Sequence, residues 1–251
     1  MTPWEVAGVL AAGVAAGGIN AVVGSGSLIT FPTLVAMGYP PIVANVSNNV
    51  GLVAGGVSGV LGYREELKGQ SERLLRLGAA SVLGSLAGGL LLLALPAEAF
   101  RVIVPVLIAL ACVLVVAQPR LNVWIAERRE TAHPHGGPWL WAGVFAAGVY
   151  GGYFGAAQGV VLIGLLGIFL DEHLQRVNAA KNLLSLLVNT TAAVLFALIA
   201  PVDWWVALLI AVGSLVGGFF GARVGRKLPS RVLRGIIVCV GVVAIVKLVY
   251  G

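Results

Sequence analysis

Apolar residues come in ten runs along the chain, separated by glycine, proline or charge. The runs cover approximately 3–23, 28–37, 42–61, 74–95, 102–117, 139–154, 160–170, 177–200, 204–222 and 232–249. A helix rises about 1.5 Å per residue, so about 20 residues cross a hydrocarbon core of about 30 Å. Runs 28–37 and 160–170 reach only about half of that depth and are predicted to be the short arms of hairpins. Each follows a glycine-rich break, Gly24-Ser25-Gly26-Ser27 in one case and Gly155-Ala156-Ala157-Gln158-Gly159 in the other. Broken backbone at membrane depth persists only where protein or a water-filled cavity satisfies its freed N–H and C=O groups.

The two breaks belong to a duplication. Gly84-Ser85-Leu86-Ala87-Gly88-Gly89 recurs as Gly213-Ser214-Leu215-Val216-Gly217-Gly218, and Leu95-Pro96…Arg101 recurs as Leu228-Pro229…Arg234. Asn45-Val46-Ser47-Asn48-Asn49 is echoed by Asn178-Ala179-Ala180-Lys181-Asn182. Matches that keep the same order define two repeats, 1–117 and 139–251, joined by a linker at 118–138.

Composition sets the class. Hydrophobic residues make up 59% of the chain and charged residues 10%, against about 25% charged in soluble domains. The predicted fold is an all-α polytopic membrane protein. The net charge of +6 belongs to loops that set orientation and carries no nucleic-acid signal. Arg64, Lys68, Arg73 and Arg76 form one cluster, the linker holds Arg120, Arg128 and Arg129, and Arg223, Arg226, Lys227, Arg231 and Arg234 form another. Before Arg64 the chain has neither Lys nor Arg. Placing the clusters in the cytoplasm leaves Arg101 and Lys247 outside and makes the repeats inverted, each a broken-helix hairpin plus three spanning helices. Secondary transporters built this way hold substrate near the midplane. Cys112 and Cys239 lie in apolar runs and are expected to be small core residues; no metal or cofactor motif is visible.

Helices that begin at such breaks present free N–H groups and a positive dipole end to an anion. Gly24, Ser25, Gly26, Ser27, Gly155, Gln158 and Gly159 are therefore candidate substrate-binding residues. Asn45, Asn48 and Asn49, and Asn178, Lys181 and Asn182, are spaced to share one helix face and join them. Two readings of Lys181 stay open: a functional intramembrane charge, or an interfacial lysine that snorkels. The Gly84/Gly88 and Gly213/Gly217 pairs read as tight helix packing, and Trp4, Trp139, Trp141, Trp204 and Trp205 as interfacial anchors. Gly24-Ser25-Gly26 superficially suggests a hydrolase nucleophile, but such a serine needs a base, and His133, His135 and His173 all lie in loops; no catalytic residue is assigned.

The stretches GGINAVVGSGSLITFP and PPIVANVSNN resemble the first-repeat signature of the sulfite exporter TauE/SafE family. GVYGGYFGAAQGVVLIG and RVNAAKN are similar to its second signature. The resemblance implies a bacterial plasma-membrane secondary transporter, commonly an exporter, of sulfite, sulfoacetate or related sulfur-containing or organic anions. A passive anion channel is the alternative. Proton or cation coupling and a homodimer are both compatible with the sequence.

Overall fold

The computed structural model describes residues 1–127, 137–224 and 230–250. Arg128, Arg129, His133 and His135 of the expected linker, and Arg226 and Lys227, lie outside these residues, as do the side chains of Arg231, Arg234 and Lys247. The described chain forms ten helices: α1 (Pro3–Val22), α2 (Ser27–Ala36), α3 (Pro41–Gly62), α4 (Ser71–Ala94), α5 (Ala97–Glu127), α6 (Gly137–Tyr153), α7 (Gln158–Phe169), α8 (Leu174–Ile199), α9 (Trp204–Val224) and α10 (Ser230–Tyr250). Each expected run becomes one helix, and no strand occurs among the described residues. One boundary differs. α5 runs through Pro119 to Glu127, so the opening of the expected 118–138 linker is helical; proline breaks a helix only when its neighbours cannot absorb the missing bond, and the apolar pattern alone does not reveal that continuation.

Among the described residues five stretches can cross a bilayer by length and composition: Pro3–Val22, Ser71–Ala94, Glu98–Arg120, Leu174–Ile199 and Trp204–Arg223. α3 is long enough at 22 residues, but Asn45, Ser47, Asn48, Asn49 and Ser58 all lie in it and are buried. Leu83, Leu90, Val102, Val106, Val113, Leu208 and Phe220 stand exposed on the outer faces of α4, α5 and α9. A soluble protein rarely exposes apolar surface so broadly, whereas lipid solvates it.

Small residues set the helix pairing. α1 lies along α9 in the same direction, with Gly13 against Gly213 and Gly17 against Ser214 and Gly218. α4 lies along α6 in the same direction, with Gly84 against Gly148 and Gly88 against Tyr153. A Cβ added at Gly17 would fall 2.7 Å from Ser214 Cα, and one at Gly152 would fall 2.9 Å from Ser85 Cα. These backbones touch, as the small-residue pattern predicts. The serines of the repeated motif then reach a third helix. Ser85 donates to the Val188 carbonyl of α8 (2.7 Å), and Ser214 donates to the Gly51 carbonyl of α3 (3.0 Å).

The two ends of α3 mark two chemically different ends of the bundle. Near Pro41 lie Tyr39, Glu98 and Arg101, around a cavity of about 470 Å³, with Asp203 and Glu5 close enough to act on Tyr39. Beyond Gly62 lie Arg64, Glu65 and Arg223, around a cavity of about 740 Å³. The same end carries a salt bridge in which Glu172 accepts from Arg73 (2.8 Å) and Arg176 (2.6 Å). Burial alone would push the Glu172 carboxyl up, but hydrogen bonds and charge from Arg73 and Arg176 prevail and hold it below the usual carboxylate range. Trp4, Trp139, Trp204 and Trp205 are exposed at helix starts. Cys112 is buried as expected, but Cys239 is exposed: it falls on the outward face of α10, which apolar composition alone does not distinguish from the inner one.

Candidate functional site

The first hairpin turns on Gly24. Val23 and Gly24 both donate their N–H to Ile19 O (2.7 and 3.2 Å), and Gly24 sits at φ +83°. The second hairpin repeats this closure: Phe154 and Gly155 both donate to Tyr150 O (2.9 and 3.1 Å), with Gly155 at φ +77°. A left-handed residue ends a helix by consuming its last carbonyls, and glycine takes that conformation without a Cβ penalty. Ala157 also adopts φ 58°, the one non-glycine with positive φ among the described residues.

The two turns meet. Gly159 donates its N–H to Gly24 O (3.0 Å), and the backbones there are so close that neither residue has room for a side chain. Gly26 packs against Ala16 and Asn20 of α1. Among the described residues the N–H groups of Ser25, Gly26 and Ser27 make no backbone hydrogen bond. Ser25 Oγ and Gln158 Nε2 are buried with no hydrogen-bond partner among the described residues. Gln158 lies over Gly151 of its own hairpin, and Tyr150 pins that hairpin by donating its hydroxyl to Ala156 O.

The asparagine motifs cross over. Asn45 of α3 donates to Tyr153 O at the end of α6 (3.0 Å). Asn178 and Asn182 of α8 donate to Ala21 O at the end of α1 (3.4 and 3.2 Å). Lys181 Nζ donates to Asn20 O (3.0 Å) and Ala21 O (3.4 Å). Each motif thus caps the carbonyl end of the interrupted helix from the other half of the chain, where orphan acceptors and the negative dipole end await donors. Asn48 stays within its own half, accepting from Thr30 and donating to Ser27 Oγ (3.3 Å). Asn49 is buried, with Oδ1 unpartnered among the described residues.

Lys181 is 0% exposed. It lies in the interior, away from either end of the bundle, and among the described residues no carboxylate pairs with it. Its stem crosses the meeting point of the turns, since a Cβ on Gly159 would fall 2.9 Å from Lys181 Cδ. Three side chains share the Ala21 carbonyl, which has two lone pairs. The donors thus converge on one carbonyl, while the Asn178 Oδ1 acceptor is buried with no hydrogen-bond partner among the described residues.

Gly24, Gly159, Asn178, Lys181 and Asn182 come together in this centre, with Ser25, Gly26 and Ser27 on the same turn as Gly24. Gly155, Gln158 and Asn45 belong to the second turn, and Asn48 is held by α2. Sequence reasoning missed Thr30, Tyr150 and the backbone carbonyls of Asn20 and Ala21. Thr30 had a signal, being a hydroxyl one helical turn past Ser27 in an arm whose only later polar residue is Thr33. The carbonyls had none.

Interrupted helices that meet inside an all-helical bundle with apolar outer faces make this a multi-pass membrane protein with a buried polar centre. Comparison with known proteins carries the classification further. The model of the family described as sulfite exporter TauE/SafE matches residues 9–248, and the chain belongs to that family of bacterial membrane transporters. It is 28% identical over 236 residues to the probable membrane transporter protein YfcA of Escherichia coli (strain K12), covering 94% of this chain and 86% of that protein. A probable membrane transporter protein of Haemophilus influenzae is 24% identical over 241 residues, covering 95% and 92%. No solved structure matches the chain.

Proposed function

We propose that the protein is a secondary transporter of small sulfur-containing or organic anions, such as sulfite or sulfoacetate, working as an exporter by alternating access around the centre where the two turns meet. The observation that carries the reading is Lys181, fully buried and without a carboxylate partner among the described residues, where three side-chain donors converge on one carbonyl. A lysine and amide donors gathered at one point are complementary to an anion. Lys181, Asn178, Asn182, the free N–H groups of Ser25, Gly26 and Ser27, and the side chains of Ser25 and Gln158 replace the anion's hydration shell. Asn48 and Asn49 complete the site on the α3 side.

Alternating access rests on two inverted repeats. Several contacts support that reading. α1 begins beside Tyr39 and Asp203 and runs along α9, whereas α6 runs along α4, which begins at the Arg73 end. The hairpins then enter from opposite faces, and the crossed caps make each half hold the other's broken helix. Positive loop charge places the Arg73 end in the cytoplasm of a bacterial plasma-membrane protein.

The test is binding followed by flux. Thermal-shift titration of purified protein with sulfite, thiosulfate, sulfoacetate and simple carboxylates should give a saturable rise in Tm for at least one of them. Proteoliposomes loaded with that anion should show saturable efflux and counterflow. Linear, non-saturating flux would convert the carrier into a channel, and the absence of any anion effect would defeat the reading.

A further inference from the structure

The donors of Lys181 match a neutral amine in number. An unprotonated amine has two N–H donors, and Lys181 Nζ has two acceptors, Asn20 O at 3.0 Å and Ala21 O at 3.4 Å. An ammonium has three donors, and among the described residues nothing receives the third. An isolated ammonium away from water is also costly unless a counter-charge accompanies it.

Other ionisable groups are remote from it or already engaged. α1 carries Glu5 alone, in its first turn, and α2 and α7 have no ionisable side chain. α3 has none between Pro41 and Gly62, with Tyr63 just past its end. α4 carries Glu72, Arg73 and Arg76 in its first turns, where Arg76 pairs with Glu72 and Arg73 with Glu172. On α8 itself Arg176 also pairs with Glu172. α6 contributes two phenols: Tyr150 is bonded to Ala156 O, and Tyr153 OH is buried without a partner among the described residues.

Resting on the anion-site reading, we propose that Lys181 couples transport to protons, taking up one proton as the anion enters and releasing it as the anion leaves. In the step the lone pair on Nζ accepts a proton from the aqueous side, a third N–H bond forms, and the ammonium pairs with the anion. Release reverses it: the N–H bond breaks and the proton departs from the same nitrogen. The loaded centre is then electrically neutral for a monovalent anion. The charge that the interior could not hold alone enters already paired. In this scheme no carboxylate inside a span is required, and the anion supplies the missing acceptor.

The experiment is anion binding to the purified protein in weak buffer, with heat measured by calorimetry and protons by an indicator dye. Sulfoacetate, methanesulfonate and acetate serve as probes because they remain fully ionised at neutral and mildly alkaline pH. The wild-type protein should take up about one proton per anion bound under mildly alkaline conditions, and its binding enthalpy should vary with the buffer's ionisation enthalpy. Lys181→Arg, which holds a permanent charge, should bind with no proton uptake; Lys181→Gln should bind weakly, also with none. Binding to the wild type without proton uptake overturns the coupling but leaves the anion site standing. Uptake that persists in Lys181→Gln overturns it too and moves the proton to a group such as Tyr153. If none of the three probes binds, both this inference and the site beneath it fall. The wild-type measurement decides whether a proton is taken up, and either variant that folds decides whether Lys181 holds it.

Discussion

The two asparagine motifs share a spacing and a task but not a charge. Asn45 in α3 reaches across to one broken helix while Asn48 is held by its own hairpin, and Asn178, Lys181 and Asn182 reach the other broken helix. At the first motif each bond has its own partner: Asn45 caps Tyr153 O, while Asn48 is tied to Thr30 and Ser27. At the second, three donors crowd one carbonyl. The first motif is held by separate partners, apart from Asn49, whose Oδ1 is unpartnered among the described residues. The second converges on one carbonyl and carries the lysine, and that is where the two motifs differ.

The sharpest way to break this contrast is Lys181→Asn, which makes the second motif resemble the first. A charge-assisted hydrogen bond is worth about 1.5–3 kcal/mol, so anion affinity should fall by about 100-fold in a calorimetric titration while the protein still folds. The reciprocal change, Asn48→Lys, should not restore binding in that background, because Asn48 is already held by its own hairpin. Recovery of affinity in the double variant would show the two motifs to be interchangeable.

Next in size is the pair of turn glycines. Gly24→Ala places a Cβ both in a left-handed conformation and against Gly159, and it should cost about 2–3 kcal/mol. Gly155→Ala carries the same backbone penalty, but the nearest atom to its Cβ is Gly151 O of its own hairpin at 3.0 Å, and it should cost about 1–2 kcal/mol. Urea or thermal unfolding in detergent should rank them in that order. Equal losses would mean that the contact between turns is not tight.

The caps give a smaller and more selective difference. Asn45→Ala removes the side-chain donor of Tyr153 O, and a buried acceptor left unmatched costs about 1–3 kcal/mol. Asn178→Ala leaves Ala21 O with Lys181 and Asn182, so its loss should stay under about 0.5 kcal/mol. Larger destabilisation by Asn178→Ala would contradict the sharing of Ala21 O among three donors.

Much of this was legible in the residues. The glycine-rich breaks at 24–27 and 155–159, the half-length arms after them and the glycines of the repeated motifs all fell where the pattern put them, because periodicity and helix length constrain a membrane chain strongly. The candidate centre was only partly legible. Spacing put Asn178, Lys181 and Asn182 on one face, but not which carbonyls they would meet, since Asn20 and Ala21 contribute backbone atoms common to every residue type. The position of Lys181 was undecidable for the same reason: Asp171, Glu172 and Arg176 nearby suggest an interface, and only the packing of α3, α4, α6 and α7 around α8, with the end of α1 over the amine, buries it. Cys239 shows the converse, an apolar run that does not say which side faces in.

The last contrast is between the two ends of the bundle, which should respond to opposite extremes of pH. Glu172 ties the α4 start to the α8 start, and its folded value lies below the carboxylate range because Arg73 and Arg176 outweigh burial. Its stabilisation is therefore complete above the ordinary carboxylate range and is lost as pH falls through that depressed value. At the other end Tyr39 is raised, by burial first and then by Asp203 and Glu5. Its contribution is complete below the ordinary phenol range and fades as pH rises through the raised value. Glu172→Gln should lower Tm at neutral pH by about 2–4 °C, the equivalent of about 1 kcal/mol in a chain of this size, and should remove part of the acid-side fall. Tyr39→Phe should leave the acid side unchanged and flatten the alkaline side. A Glu172→Gln protein with the same acid profile as wild type would mean that the Arg73–Glu172–Arg176 bridge does not hold that end together.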